Sequence, residues 1–292
     1  MALIDEIKEQ SDSVRQGGRK AWLKWFWSYY KIHTFAVIGG LIFIGVLIHD
    51  IASQKDTAFG ITLLNIETTE GQPIQDALET ELDRLLEVNT KEEEVRLDIS
   101  EFVSPGAIAS EQEMIAQQKI MALFASGEID LFAADPWNFT SYAFSDAFLD
   151  LRNVLPEETL AELEPWLFYV DGERIRMKEE DDGIYMDDEP IAWMTGTILE
   201  YSDTAEIRKM CLKESYVLPD PSGMTDPVPV GILISEAPYF SGLGFYNYSA
   251  SVMGIAGSSG RTGLTDRVIR YLWDGTGMPA AEEAPADEAG TD

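Results

Sequence analysis

The side chains best suited to chemistry are few and unevenly placed. The chain carries two histidines, His33 and His49, and one cysteine, Cys211. Both histidines flank an apolar stretch near the N-terminus, so everything beyond it must work without imidazole. A Ser-His-Asp triad, a Cys-His nucleophile pair and a histidine-based zinc site are therefore excluded from the larger part of the protein. Cys211 alone forms no intrachain disulfide and reads as a small buried hydrophobe. The sequence contains no Gly-x-x-x-x-Gly-Lys-Ser/Thr phosphate loop. No catalytic residue, metal-ligand set or cofactor is expected.

Carboxylates are the abundant chemical groups: 52 in all, of which 46 lie beyond residue 56. So many acids leave paired-carboxylate hydrolysis open without singling out a pair. The densest run, Glu179 to Asp182 and Asp187 to Glu189, surrounds Ile184-Tyr185-Met186. A calcium loop built around Gly183 would need an acid where Lys178 stands, so the run reads as a solvated acidic loop. Gly254, Gly257, Gly260 and Gly263 recur every third residue beside Arg261. They could cradle an anion or simply form a turn before the last helix. Aromatic side chains give the better lead. Trp137, Tyr142, Tyr239, Phe240, Tyr246 and Tyr248 could stack on a sugar or cage a cation, or serve ordinary packing. The candidate ligand-binding set is Asp135, Trp137, Asn138, Tyr246 and Tyr248.

Positioning these residues requires a series of strands and helices. Phe59 to Ile66 reads as a buried strand. Gln72 to Val88 follows with Ile74, Leu78, Leu82, Leu85 and Leu86 at helical spacing. Val95, Leu97 and Ile99 alternate as a strand, and Ser104-Pro105-Gly106 breaks the chain. Ile108 to Ser126 is a second helix with Met114, Ile115, Ile120, Leu123 and Phe124 on its apolar side and Gly127 as its C-terminal glycine. Ile129 to Ala134 is a short, wholly apolar third strand. This alternation predicts an α/β fold with a parallel or mixed sheet, and ligands in such folds bind beyond the carboxyl ends of the strands. Asp135-Pro136-Trp137-Asn138 stands at such an end. Further on, Pro156 to Leu163 and Thr265 to Trp273 read as helices. Ile191 to Leu199, Val230 to Ile234 and Tyr246 to Met253 read as strands. Residues 277–292, rich in Ala, Glu, Asp and Pro, cannot bury a core and are expected to be disordered.

The apolar stretch itself, Phe35 to Ile48, contains no polar side chain. Residues 32–52 are long enough to span a bilayer. Arg19, Lys20, Lys24 and Lys31 precede it, as does an aromatic belt of Trp22, Trp25, Phe26, Trp27, Tyr29 and Tyr30. The positive-inside rule predicts an uncleaved signal anchor: 1–31 cytoplasmic, 32–52 transmembrane, 53–58 a linker, 59–276 an extracellular domain, with the lipid bilayer as a partner. The formal net charge is −31, with +1 on residues 1–56 and −32 on the remainder. Such acidity argues against nucleic acid and against anionic headgroups as partners of the outer domain. It biases that domain toward neutral or cationic ligands.

Three phrases share an order known from one family: KIMALFASGEIDLFAAD over Lys119 to Asp135, Phe148-Leu149-Asp150-Leu151, and Tyr248 to Ile255 followed by Ser258, Ser259, Arg261 and Val268 to Leu272. Over residues 59–274 the chain resembles bacterial extracellular solute-binding proteins of the type 2 periplasmic-binding fold. The resemblance implies a binding protein with a cleft near Asp135, Trp137 and Tyr246, an unidentified small solute, and an ABC-type permease, sensor or other membrane protein as partner. The chain departs from the family in its membrane helix, where a lipidated cysteine or free secretion is usual, and in a second lobe reduced to residues 136–230. The alternative it leaves open is a non-catalytic protein-interaction module on a degenerate binding fold.

Overall fold

Phe59, Ile61 and Leu63 on one face and Gly60, Thr62 and Leu64 on the other are all shielded from water, which makes their strand the centre of a sheet covered on both sides. The computed structural model describes residues 18–53, 55–106, 110–180 and 204–277. The chain divides into two compact units at Lys55/Asp56.

The first unit is one helix, α1 (Arg19–Ser53). Its window Tyr30–Leu47 has a mean hydropathy of 1.7, and none of it is buried. By length and composition it can cross a membrane. Phe26 stacks on Tyr30 with ring centres 5.1 Å apart, one turn along the helix.

The second unit contains β1 (Asp56–Leu63), α2 (Gly71–Leu85), β2 (Glu93–Asp98), α3 (Glu111–Ser126), β3 (Leu131–Ala134), α4 (Pro136–Ala143), α5 (Glu157–Leu163), β4 (Leu167–Asp171), α6 (Gly172–Glu180), α7 (Thr204–Met210), β5 (Pro227–Ile232), α8 (Pro238–Leu243), β6 (Val252–Ile255) and α9 (Thr262–Asp274). The six strands form one mixed sheet in the order β2-β1-β3-β6-β5-β4. β1 runs parallel to β2 and β3, whereas β6 is antiparallel to both β3 and β5, and β4 is antiparallel to β5. Among the described residues there is no second sheet.

Each face of the sheet has its own core. On one face Leu78, Leu82 and Leu85 of α2, Phe240 of α8 and Val268, Ile269 and Leu272 of α9 pack on Phe59, Ile61, Leu63, Leu131 and Ile255. On the other, Ala116 and Ile120 of α3 and Phe139 and Ala143 of α4 pack on Phe132, Phe168, Val230 and Val252. At β1 a side chain in place of Gly60 would meet the Glu128 carbonyl oxygen at 1.9 Å, so the strand can pass here only as glycine. Helix α3 starts at Ser110, which accepts a hydrogen bond from the Glu113 amide at 3.2 Å, with Glu111 and Glu113 beside the positive helix end. It stops at Gly127, whose φ of 72° is the left-handed cap.

Several elements differ from the sequence reading. β1 ends at Leu63 because Asn65 adopts a left-handed φ of 62°. β5 starts at Pro227, earlier than its apolar run, since Pro227 and Pro229 need no ladder donor where they pair with β4 across an irregular register. β4, α4, α7 and α8 are short elements that no periodicity announces. Met114 and Ile115 are not core residues: they are half-exposed on the outer face of α3, while Ala116 and Ile120 turn inward. The run from Tyr246 to Ala250 is not a strand. The amides of Asn247, Tyr248 and Ser249 all converge on the Glu67 carboxylate, at 2.6, 2.6 and 3.0 Å. An extended strand points successive amides to opposite sides and cannot do this. The expected strand Ile191 to Leu199, most of the acidic run and the C-terminal tail lie outside the described residues.

Candidate functional site

The third strand ends at Asp135, and the chain turns there directly into α4. Pro136 at the first helical position presets the turn, and the Asp135 carboxylate caps the helix: Oδ1 accepts from the amides of Trp137 and Asn138, each at 3.1 Å. Oδ2 accepts from the side-chain amides of Asn65 and Asn138, each at 2.7 Å. The same two asparagines both donate to the Val103 carbonyl, at 2.7 and 3.0 Å, and Asn65 Oδ1 accepts from the Val103 amide at 2.8 Å. Asn65 reaches all of these partners because its left-handed backbone swings the side chain across the end of the sheet. Three segments from the carboxyl edge are thereby tied to one buried carboxylate. Burial pushes the Asp135 carboxyl above the ordinary aspartate range, and the bonds from Asn138, Asn65 and Trp137 work against that shift.

Two neighbours complete this edge. The Tyr246 ring is buried, and its hydroxyl donates to the carbonyls of Leu64 at 2.7 Å and Ala133 at 3.3 Å, the ends of β1 and β3. Burial and the nearby Asp135 charge hold its proton well above the usual tyrosine range. Cys211 packs with Trp137 and Ile207 in a small apolar cluster, and its thiol donates weakly to Asp135 Oδ1 at 3.8 Å. Burial, reinforced by the Asp135 charge, raises its pKa and keeps it a thiol.

The fold therefore gathers four of the five candidate residues, Asp135, Trp137, Asn138 and Tyr246, at the carboxyl ends of β1 and β3. Tyr248 stands apart: its side chain is 74% exposed, and its backbone belongs to the loop held by Glu67. Arg261 donates to Asp130 at 3.0 Å and to the Gly127 carbonyl at 3.1 Å, so the glycine-rich turn uses its one cation within the fold. Among the described residues no group of three or more His, Cys, Asp or Glu side chains can hold a metal ion.

A groove of about 590 Å³ opens beside this edge, between α3 and α4. It is lined by Val103, Trp137, Asn138, Gly257 and Ser258, with Gln117, Met121, Phe124, Tyr142 and Asp146 also on its walls. Its wall is aromatic because Phe124, Phe132 and Tyr142 meet with ring centres 5.0 to 5.6 Å apart. Behind them Phe139 and Phe148 stack at 4.4 Å. Tyr142 Oη is buried and has no hydrogen-bond partner among the described residues. Burial, then the charge of Asp135, raises its pKa. The structure thus adds Asn65, Glu67 and the Met121 and Phe124 face of α3 to the sequence-derived set. Each reaches its partners across the fold, and only the Asn in a strand-to-helix loop carries a local signal.

No known family model matches the chain, and no curated protein matches it. Among solved structures, iron-bound HitA from Pseudomonas aeruginosa aligns over 80% of this chain and 90% of its own length, at 12% identity and a TM-score of 0.28. A superposition that loose says nothing of ligand or activity.

Proposed function

We propose that this chain is a membrane-anchored, solute-binding-like protein. Residues 32–52 cross the bilayer, residues 1–31 stay in the cytoplasm, and the acidic domain outside captures a small molecule for a transporter or sensor in the same membrane. The observation that supports this reading is the groove between α3 and α4, lined in part by Trp137 and Asn138. Its 590 Å³ falls in the range of pockets that enclose small ligands. The basic and aromatic flank before the apolar helix supports the orientation.

The test uses the full chain in nanodiscs, scanned for thermal stabilisation by sugars, oligosaccharides, polyamines, amino acids and aromatic amides. A ligand that binds only the folded domain raises the melting temperature in proportion to its saturation. Stabilisation by one class, abolished when Ala125→Trp fills the groove, supports capture in the groove. Absence of any stabilisation at millimolar ligand removes the reading.

A second reading, a protein-interaction module, draws on a different feature. Met114, Ile115 and Met121 on α3 and the nearby Phe102 are each at least half exposed, and contiguous apolar surface of this kind marks binding faces. Capture of a membrane protein that is lost on Ile115→Glu, with no small molecule bound, favours this alternative.

A further inference from the structure

We infer that the groove between α3 and α4 takes a flat aromatic ligand that is neutral or cationic and carries a hydrogen-bond acceptor, inserted against Tyr142. This rests on the reading of the outer domain as a binding protein and specifies what it binds.

Three features select that chemistry. The first is shape and surface. Phe124, Tyr142 and Trp137 contribute rings to the lining and Met121 a thioether, so a planar ring gains stacking and sulfur contacts along the walls. The second is charge. Among the described residues no lysine or arginine lines the groove, whereas Asp146 stands at its wall. The Asp135 carboxylate is close enough to act on the Tyr142 hydroxyl. Of the described cations around it, Lys119 is engaged on Asp98 and Glu101, Arg261 on Asp130, and Arg208 donates to the Ser104 hydroxyl at 3.5 Å. An anion entering here would lose its water beside the Asp146 and Asp135 carboxylates, while a cation would find aromatic faces. The third is the Tyr142 hydroxyl itself. A hydroxyl sealed from water without a partner is a cost carried by the free domain. A carbonyl inserted between the helices relieves that cost, whereas an apolar group leaves it in place. Gln117 offers a further side-chain amide from α3.

The probes are three molecules of one shape: nicotinamide, its cationic relative 1-methylnicotinamide, and the anion nicotinate, with cyclohexanecarboxamide as the non-aromatic control. Calorimetry and thermal shift are run on the full chain in nanodiscs, with empty nanodiscs subtracted. Nicotinamide and 1-methylnicotinamide are expected to bind at least about tenfold more tightly than nicotinate or cyclohexanecarboxamide. Tyr142→Phe is expected to weaken nicotinamide by about fivefold while leaving the free protein as stable as before, or more so. A merely structural tyrosine would not show that opposition. Nicotinate binding as well as nicotinamide overturns the charge assignment, and equal binding of cyclohexanecarboxamide overturns the aromatic one. An unchanged nicotinamide affinity in Tyr142→Phe overturns the placement of the acceptor. If none of the four binds while a sugar or polyamine does, this ligand class fails and the binding-protein reading stands. If nothing binds at all, both fail.

Discussion

The carboxyl edge of the sheet and the groove between α3 and α4 share Trp137 and Asn138 but treat polar groups in opposite ways. At the edge both oxygens of Asp135 are engaged by the chain's own donors, and the Tyr246 hydroxyl rests on two backbone carbonyls. In the groove Tyr142 Oη has no such partner among the described residues, and Met121 is left 60% exposed. A satisfied buried network rigidifies and leaves little to offer a ligand. An unsatisfied one holds free energy that a ligand can recover. The edge therefore reads as the frame and the groove as the place where recognition is available, although sequence position alone makes the two look like one site.

The largest effect should come from breaking the frame. Asp135→Asn puts an amide donor where Asn65 and Asn138 already donate, and leaves buried donors facing one another. It is expected to lower stability by about 3 kcal/mol, read as a shift of the urea midpoint. A variant that folds as well as the parent yet loses ligand would erase the distinction between frame and groove. Next, Asn65→Ala removes three hydrogen bonds and places alanine at a left-handed φ, for an expected loss of about 2 kcal/mol. On the groove side the sign reverses. Tyr142→Phe deletes a hydroxyl that lacks a partner and is expected to stabilise the free domain by up to about 1 kcal/mol in a thermal scan. A loss of stability there would mean that Tyr142 belongs to the frame.

The smallest effect is one of pH and lies away from both regions. Burial lifts the Asp98 carboxyl, but bonds from Lys119 at 2.8 Å and from Ser100 bring it net below the ordinary aspartate value. For a depressed carboxylate the stability is complete above the unfolded pKa and is lost as pH falls through the folded one. Urea midpoints of the parent and Asp98→Asn should thus differ modestly at neutral pH and converge in acid. A gap that persists in acid would show that Asp98 acts through packing instead. Lys119 is partly exposed, so solvent screening keeps this contribution small.

Much of the fold is legible along the chain because local rules govern it. Leu78, Leu82 and Leu85 repeat at helical spacing and are buried together, and Gly127 ends α3 where a left-handed cap is needed. The reading fails where a distant group overrides the local pattern. Tyr246 to Ala250 alternates like a strand, but Glu67, nearly two hundred residues earlier, gathers its amides into a turn. Met114 and Ile115 look like core on a helical wheel. The sheet meets α3 through Ala116 and Ile120 instead. The candidate residues are found by their place at a strand end. Their use is not, since a capping carboxylate and a ligand-binding one have the same sequence.

The sequence by itself determines the apolar helix and its basic flank, the βα alternation of the first half, the acidity beyond residue 56, and the absence of histidine chemistry there. All of these depend only on composition and on neighbours within a few turns of chain. Only the tertiary structure decides that β6 inserts antiparallel between β3 and β5, that Asn65 reaches Asp135, and that the Tyr142 hydroxyl is buried without a partner among the described residues. The first two depend on contacts across the fold, 70 positions apart for Asn65 and Asp135 and more than a hundred for β3 and β6. Whether a polar group is satisfied is a property of everything packed around it.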